Sequence, residues 1–136
     1  MPNPPRTSLL DTHRHGHSVV ATLHGEIDLL TAPALSALLA PLTTCARPDV
    51  LVDLRQVAFI DGTGLAVLAV ARDAASAHDG RLRLICTHPL TLRILHHPEL
   101  GFDFDVLEGL PARAWSGRRC SCADRRPDAA GSRDGR

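Results

Sequence analysis

A chain of 136 residues, 44% of them hydrophobic, is long enough for one domain with a buried core. Its 15 arginine side chains balance 15 acidic ones, so the net charge gives no reason to expect binding to nucleic acid or an anionic membrane. No apolar run approaches the roughly 20 residues of a membrane-spanning helix, and residues 1–6 lack the apolar segment of a secretory signal, so we expect a cytoplasmic protein.

The chain begins with the pattern of a β-hairpin. Residues 1–6 are rich in proline and predict a flexible lead-in. Residues 7–12 predict a short edge strand, residues 13–16 a turn, and residues 18–23, which are largely apolar, a second strand. We therefore expect the domain to start with two antiparallel strands.

Residues 25–28 leave the sheet and lead into a first helix. Thr31 is suited to the N-cap, and Pro33 to the first turn, where its missing N–H is not needed. Apolar side chains then recur at helical spacing and form a stripe that faces a core: Leu35, Leu38, Leu39 and Leu42. Pro41 should disturb the last turn of this helix. Asp28, at the strand exit, is suited to a tight turn.

The centre of the chain predicts a buried strand followed by a long helix. Residues 50–54 are apolar and β-branched, which is typical of a strand covered on both faces. The alanine- and leucine-rich segment from Leu65 to about Asp79 favours a helix. Asp61 is a good N-cap residue for this helix, and Gly80 suits a left-handed cap at its C-terminal end.

Two glycines flank Thr63 at the start of the long helix. Gly62 and Gly64 have no side chain and would let the surface of a partner approach the backbone closely. In open α/β sheets, ligands usually bind beyond the carboxyl ends of the strands, often at helix N-termini. The sequence therefore predicts a candidate site at this turn, whereas Asp53, in the preceding strand, is interpreted as a structural hydrogen-bonding group.

The remaining segments continue the alternation of strands and helices. Residues 81–86 predict a strand, a further helix opens at Pro89, and residues 102–106 predict an edge strand. Residues 107–114 predict a weak helix, and from Trp115 the composition becomes polar, as is typical of a disordered tail. This order predicts an α/β domain with right-handed crossovers.

Neither the histidines nor the cysteines predict a metal site. Three histidines alternate along the hairpin: His13, His15 and His17. Gly16 interrupts their spacing, and no cysteine or carboxylate is clearly positioned to join them. Cys120 and Cys122 are too few for a zinc site. Cys45 and Cys86 lie in or beside apolar segments and are interpreted as buried thiols, so we expect no disulfide framework and no cofactor.

Three segments of the chain, in order, resemble the STAS domain family, the fold of bacterial anti-sigma factor antagonists. Residues 25–35 (GEIDLLTAPAL) resemble its G-E-L-D … T-A-P-x-L segment. Residues 52–65 (VDLRQVAFIDGTGL) resemble its D-L … F-I-D-S-[S/T]-G-L core, and residues 80–84 (GRLRL) resemble the strand after its long helix. One such motif is weak, but three in the right order with the spacing intact are fairly specific.

The resemblance implies an α/β fold of STAS type over residues 7–114, with a mixed sheet of four to five strands and about four helices. Residues 115–136 are then the disordered tail. In the family, a helix N-terminus is presented to an anti-sigma factor, usually a GHKL-type serine kinase, and capture of that factor releases a sigma factor. The implied partner-binding residues are Asp28, Asp61, Gly62, Thr63, Gly64 and Leu65. We expect a non-enzymatic protein that is a monomer or a weak dimer.

The chain departs from the family at the phosphorylated position. The family's partner kinase modifies the serine after the aspartate, and a phosphate adds about −1.5 to −2 charges to a packed contact. Gly62 stands at that position and has no hydroxyl. Either the protein is a permanently competent antagonist, or Thr63 is phosphorylated instead. We favour the first, because a shift of one residue turns a helical side chain by about 100°.

Other functional classes stay open at this point. As a STAS subunit of another assembly, the chain would serve a stress-signalling scaffold or a lipid-transport complex, and the fold alone does not decide between these. An enzyme is disfavoured because the sequence has no Ser-His-Asp order and no phosphate loop. Asp61 could also serve only as a helix cap.

Overall fold

A computed structural model describes residues 9–97 and 103–111 of the chain. Within these residues, seven strands and three helices follow one another. Their bounds are β1 Leu10–His15, β2 Ser18–Leu23, β3 Gly25–Ile27, α1 Ala32–Thr43, β4 Asp49–Asp53, β5 Val57–Ile60, α2 Gly62–Ala77, β6 Arg81–Ile85, α3 Pro89–Leu95 and β7 Val106–Leu107. The predicted lead-in over residues 1–6 and the predicted tail over residues 115–136 lie outside the described residues.

Five strands form one mixed sheet in the order β1-β2-β4-β6-β7. β1 and β2 are antiparallel and form the expected hairpin, although β1 runs further than predicted, to His15. The tight turn contains Gly16, whose φ of 66° favours glycine. The other neighbouring strands are parallel, as crossover connections require. The α/β class and a mixed sheet of the expected size are confirmed.

The helix predicted over residues 107–114 does not form in its described part. Leu107 instead pairs with Ile85 as the last residue of β7, and residues 108–111 are not helical. The open edge of β6 explains the difference, because strand pairing satisfies backbone groups that would otherwise lack partners. The residues of this segment beyond Pro111 lie outside the described part of the chain.

A separate two-stranded parallel ribbon is formed by β3 and β5, and the sequence did not predict it. Ile27 lies opposite Ile60 in this pair. The strands have only 3 and 4 residues, too few to give a recognisable alternating pattern. The ribbon brings together the ends of two strands just before α1 and α2 begin.

One face of the main sheet, the helix face, packs against all three described helices. Its core is almost entirely aliphatic, which fits the 3% aromatic content of the chain. Fully buried leucines from strands and helices form its centre: Leu23, Leu35, Leu39, Leu65, Leu68 and Leu84. None of the helices in the described ranges has the length and apolar character that crossing a membrane requires.

The opposite face of the main sheet, the second face, has its own apolar centre. Val20, Leu51 and Ile85 are each 0% exposed there, and the partly buried Leu107 packs against them. The described helices contribute side chains to the helix-face core and none to this centre. Within the described residues, therefore, no helix packs against the second face.

The C-terminal end of α2 corrects the role predicted for Gly80. Asp79, with a φ of 64°, is the left-handed residue. The N–H groups of Gly80 and Asp79 donate to the carbonyls of Ala75 (2.9 Å) and Ser76 (3.1 Å), the bond pair of a Schellman motif. Gly80 is needed for another reason, because a Cβ atom there would overlap the backbone of Pro48.

The two cysteines in the described residues differ in state. Cys86 is a buried free thiol, and burial raises its pKa. Cys45, half-buried in the loop after α1, is disulfide-bonded, which corrects the prediction of a buried thiol there.

Candidate functional site

Two strand-to-helix turns lie side by side at one end of the ribbon. β3 leads into Asp28 and then α1, and β5 leads into Asp61 and then α2. Because Ile27 and Ile60 are opposite each other in a parallel pair, the two aspartates leave the ribbon at the same end. The Asp61 N–H also donates to the Ile27 carbonyl at 3.1 Å. The N-termini of both helices are therefore neighbours.

Asp61 caps α2, as the sequence predicts. Its backbone is extended, with φ −107° and ψ −173°, and its Oδ1 accepts a hydrogen bond from the Gly64 N–H at 3.0 Å. This bond satisfies one of the free donors in the first turn of the helix and is typically worth about 1 kcal/mol. The cap fixes the direction in which α2 leaves the ribbon.

Asp28 plays the corresponding part in the turn before α1. Its Oδ1 accepts hydrogen bonds from the N–H groups of Leu30 (3.0 Å) and Thr31 (3.1 Å). Thr31 occupies the N-cap position, but its side chain makes no capping bond to α1. Its Oγ1 instead accepts from the Asp28 N–H and donates to the Glu26 carbonyl, both at 2.9 Å. This turn is thus held by its own side chains.

The two glycines of the α2 turn have different environments. Gly62 is exposed, and a Cβ atom added to it would meet nothing within 4 Å. Gly64 is buried, and a Cβ atom there would lie 2.6 Å from Ile27 Cγ2 and 2.9 Å from Ile60 Cγ1. Of these two glycines, only Gly62 is accessible to a partner. Gly64 is buried because it lets α2 pack closely against the ribbon.

This difference predicts opposite effects of alanine at the two glycines. Gly64→Ala should lower the free energy of unfolding by about 1–3 kcal/mol, because the added methyl overpacks the contact with the ribbon. Gly62→Ala, the matched control, should be neutral or stabilising by up to about 1 kcal/mol, since it only removes backbone freedom. Urea unfolding measures both, and equal effects would contradict the assignment.

The six predicted partner-binding residues divide into surface and core. Gly62 is exposed, and Asp28, Asp61 and Thr63 are half-buried. Leu65 is 0% exposed and belongs to the helix-face core, and Gly64 packs on the ribbon. A partner at this surface therefore cannot reach Gly64 or Leu65, and their predicted contact role is corrected to a structural one.

Sequence reasoning missed three exposed apolar side chains beside these turns. Leu29 is 69% exposed, Leu30 86% and Phe59 54%. Phe59 lies on β5 opposite Glu26 of β3, on the side of the ribbon away from the buried isoleucines. Turns usually carry polar residues, so the Leu29–Leu30 pair inside an aspartate turn was the available signal. We call Leu29, Leu30 and Phe59 the apolar trio.

Asp53, in the second matching segment, has the structural role predicted for it. It is 5% exposed, and its carboxylate accepts from the Arg55 N–H (3.0 Å), Nε (2.9 Å) and Nη2 (2.8 Å). Burial acts to raise the pKa of Asp53, but the hydrogen bonds and charge of Arg55 outweigh it and lower the pKa below its usual value. The pair closes the turn between β4 and β5.

The lowered pKa of Asp53 predicts a pH dependence of stability. The stabilisation is present above the usual carboxyl pKa of about 3.9 and is lost as the pH falls through the lower pKa of the folded state. Arg55→Ala should therefore lower stability at pH 7 and reduce the further loss on going to pH 3. Urea midpoints at both pH values measure this, with Gln56→Ala, at an exposed neighbour, as control. An identical acid-induced loss in Arg55→Ala and the unaltered protein would contradict it.

The histidines do not converge on a metal-binding geometry in the described part of the chain. No group of three or more histidine, cysteine, aspartate or glutamate residues there could hold an ion. His24 Nε2 lies 2.8 Å from Asp11 Oδ2, and His15 contacts the carbonyl of Pro111.

Comparison with known proteins assigns the chain to a family and finds solved structures with the same fold. A family model described as "Mlab, STAS domain" matches residues 10–103. The structure of an anti-sigma factor antagonist from Mycobacterium paratuberculosis is 28% identical, with a TM-score of 0.65, over 74% of this chain and 86% of that one. No curated protein matches.

More distant structures share the fold. The anti-sigma factor antagonist SpoIIAA in its unphosphorylated form is 16% identical, with a TM-score of 0.57, over 74% of this chain and 89% of that one. The Bacillus cell fate determinant SpoIIAA in its phosphorylated form is 17% identical, with a TM-score of 0.54, over 72% of this chain and 90% of that one. At these identities the likeness concerns the fold alone.

Proposed function

The chain belongs to the STAS domain family, and we propose that it is an anti-sigma factor antagonist, a non-enzymatic regulator that captures an anti-sigma factor. The likeness to the Mycobacterium paratuberculosis antagonist supports this role. The observation that carries it is the apolar trio, exposed beside two neighbouring helix N-termini. The docking surface consists of this trio with Asp28, Gly62 and Thr63.

The physical case for docking rests on the apolar trio. Exposed apolar side chains on neighbouring segments of a small domain commonly mark contact sites for other proteins. Burying one large apolar side chain is worth about 1.5–3 kcal/mol, so three such side chains offset a substantial part of the entropy lost on association. The turn that carries Leu29 and Leu30 is held by the hydrogen bonds of Asp28, so binding has little further conformational entropy to remove there.

The proposed partner is an anti-sigma factor of the GHKL serine kinase type, and the proposed location is the cytoplasm. The acidic groups of Glu26, Asp28 and Asp61 beside the apolar trio favour a partner whose contact surface is apolar with basic side chains. In that reducing compartment we expect the Cys45 disulfide to be opened, because cytoplasmic thiols are kept reduced.

The docking surface lacks a hydroxyl at the position where the family carries its phosphorylated serine. Gly62 occupies that position, is exposed and has open space above its Cα atom. We therefore propose that capture is not switched there. Thr63 is half-buried and one residue further along the helix, where a side chain is turned by about 100° from position 62. Phosphorylation of native Thr63, detected by mass spectrometry, would overturn this proposal.

Affinity capture from cells of the native organism tests the proposed function. The full-length chain should retain a kinase-like anti-sigma factor, identified by mass spectrometry, and a bait with Leu30→Asp should not. The alternative function, a STAS subunit of another assembly, would instead give transporter components or scaffold proteins. Such a result, obtained without an anti-sigma factor, would replace the proposal.

A further inference from the structure

The two edges of the main sheet are connected by a hydrogen bond between distant parts of the chain. β1 and β7 are the outermost strands. Nevertheless, His15 Nε2 on β1 donates to the Pro111 carbonyl, only a few residues after β7, at 2.7 Å. The chain after β7 must therefore reach from one edge of the sheet to the other.

The distance between the two edges of the sheet limits the path that residues 108–111 can follow. Four strand spacings of about 4.8 Å separate the two edges by roughly 19 Å. The registers place Leu107 level with Asp11, which lies four residues, or about 13 Å, along β1 from His15. The diagonal from Leu107 to His15 is therefore roughly 23 Å. Leu107 is anchored opposite Ile85, and four extended residues cover at most about 14 Å. The Pro111 carbonyl, the 2.7 Å hydrogen bond and the His15 side chain together span the rest of the diagonal. Only a nearly straight path across one face of the sheet meets these limits.

That face is the second face. His15 pairs with Ser18, which has the same orientation as Val20, and Val20 belongs to the second-face centre. The helix face is occupied by α1, α2 and α3. A straight path from Leu107 to His15 on this face passes the middle strands, where Leu51 and Ile85 are 0% exposed.

We propose that residues 108–111 form a strap that closes the second face, latched at one end by the hydrogen bond from His15 to Pro111 and anchored at the other by Leu107. Opening the latch exposes the apolar centre formed by Val20, Leu51 and Ile85. The strap is a conformational device separate from the docking surface, which lies at the ends of β3 and β5, and it does not depend on the proposed function.

Hydroxyl-radical footprinting of the full-length chain, read by mass spectrometry, tests the strap. In His15→Ala, which removes the donor, oxidation of Val20, Leu51 and Ile85 should rise about fivefold, the change in open population expected from the loss of one hydrogen bond. Leu107→Ala, at the other end, should raise oxidation of the same residues. Circular dichroism and urea unfolding verify that each variant remains folded.

Two variants on the same strand serve as controls. His15→Gln places an amide donor near the position of Nε2 and should keep oxidation near the level of the unaltered protein. His13→Ala lies on the same face of β1, two residues away from the latch. Because His13 lies opposite Val20, this control is read at Leu51 and Ile85, whose oxidation should stay unchanged. Unchanged oxidation in His15→Ala, or an equal rise at Leu51 and Ile85 in His13→Ala, would overturn the proposal.

Discussion

Replacing Leu30 with aspartate is expected to weaken capture of the anti-sigma factor by about a hundredfold or more while leaving the domain folded. Leu30 is 86% exposed in the turn between β3 and α1, so its side chain contributes little to the core. In the complex, the variant would lose about 1.5–3 kcal/mol of apolar burial and would place a new charge in the contact. A hundredfold loss corresponds to about 2.7 kcal/mol.

Isothermal calorimetry with the captured partner measures this loss. Val70→Asp is the matched control, because Val70 is also apolar and 66% exposed but lies in the middle of α2, away from the two turns. Both substitutions should change the free energy of unfolding by less than about 0.5 kcal/mol. Equal affinities for Leu30→Asp and the unaltered protein would remove the apolar trio from the docking surface.

The second large effect expected is a switch created by Gly62→Ser. The open space at Gly62 accommodates the new side chain without a clash, and the residue is exposed in the first turn of α2. If the partner retains kinase activity, it should phosphorylate the introduced serine. The phosphate would add about −1.5 to −2 charges beside Asp28 and Asp61, inside the contact, and should lower affinity by orders of magnitude.

Incorporation of labelled phosphate and calorimetry before and after phosphorylation measure this switch. Gly62→Ala separates the hydroxyl from the added bulk and should bind as tightly as the unaltered protein with no phosphate incorporated. A phosphorylated Gly62→Ser variant that still binds at full affinity would contradict the location of the docking surface. A variant that stays unphosphorylated would contradict kinase activity in the partner.

The local features of the site followed from the sequence because they depend on neighbouring residues. Asp61 caps α2 through a residue three positions away, and the apolar runs around it determine a strand and a helix whatever lies elsewhere. The hairpin of β1 and β2 is likewise local. The order of the three matching motifs then identified the STAS family, and the family model confirms it.

The features that were missed depend on contacts between distant segments. Pairing of β3 with β5 joins two very short strands, and no periodic pattern marks either of them. The role of Gly64 comes from Ile27, and that of Gly80 comes from Pro48, each far away in sequence. Leu65 follows a surface glycine turn in sequence, but the direction of α2 turns its side chain into the core. Burial of this kind is decided by tertiary packing.

The most direct measurement of the central claim is hydrogen exchange of the complex between the full-length chain and its captured anti-sigma factor. The docking surface predicts slower exchange on binding over residues 28–31 and 59–63, with little change in β6 and α3. Protection confined to other segments, with both turns exchanging as in the free protein, would contradict it.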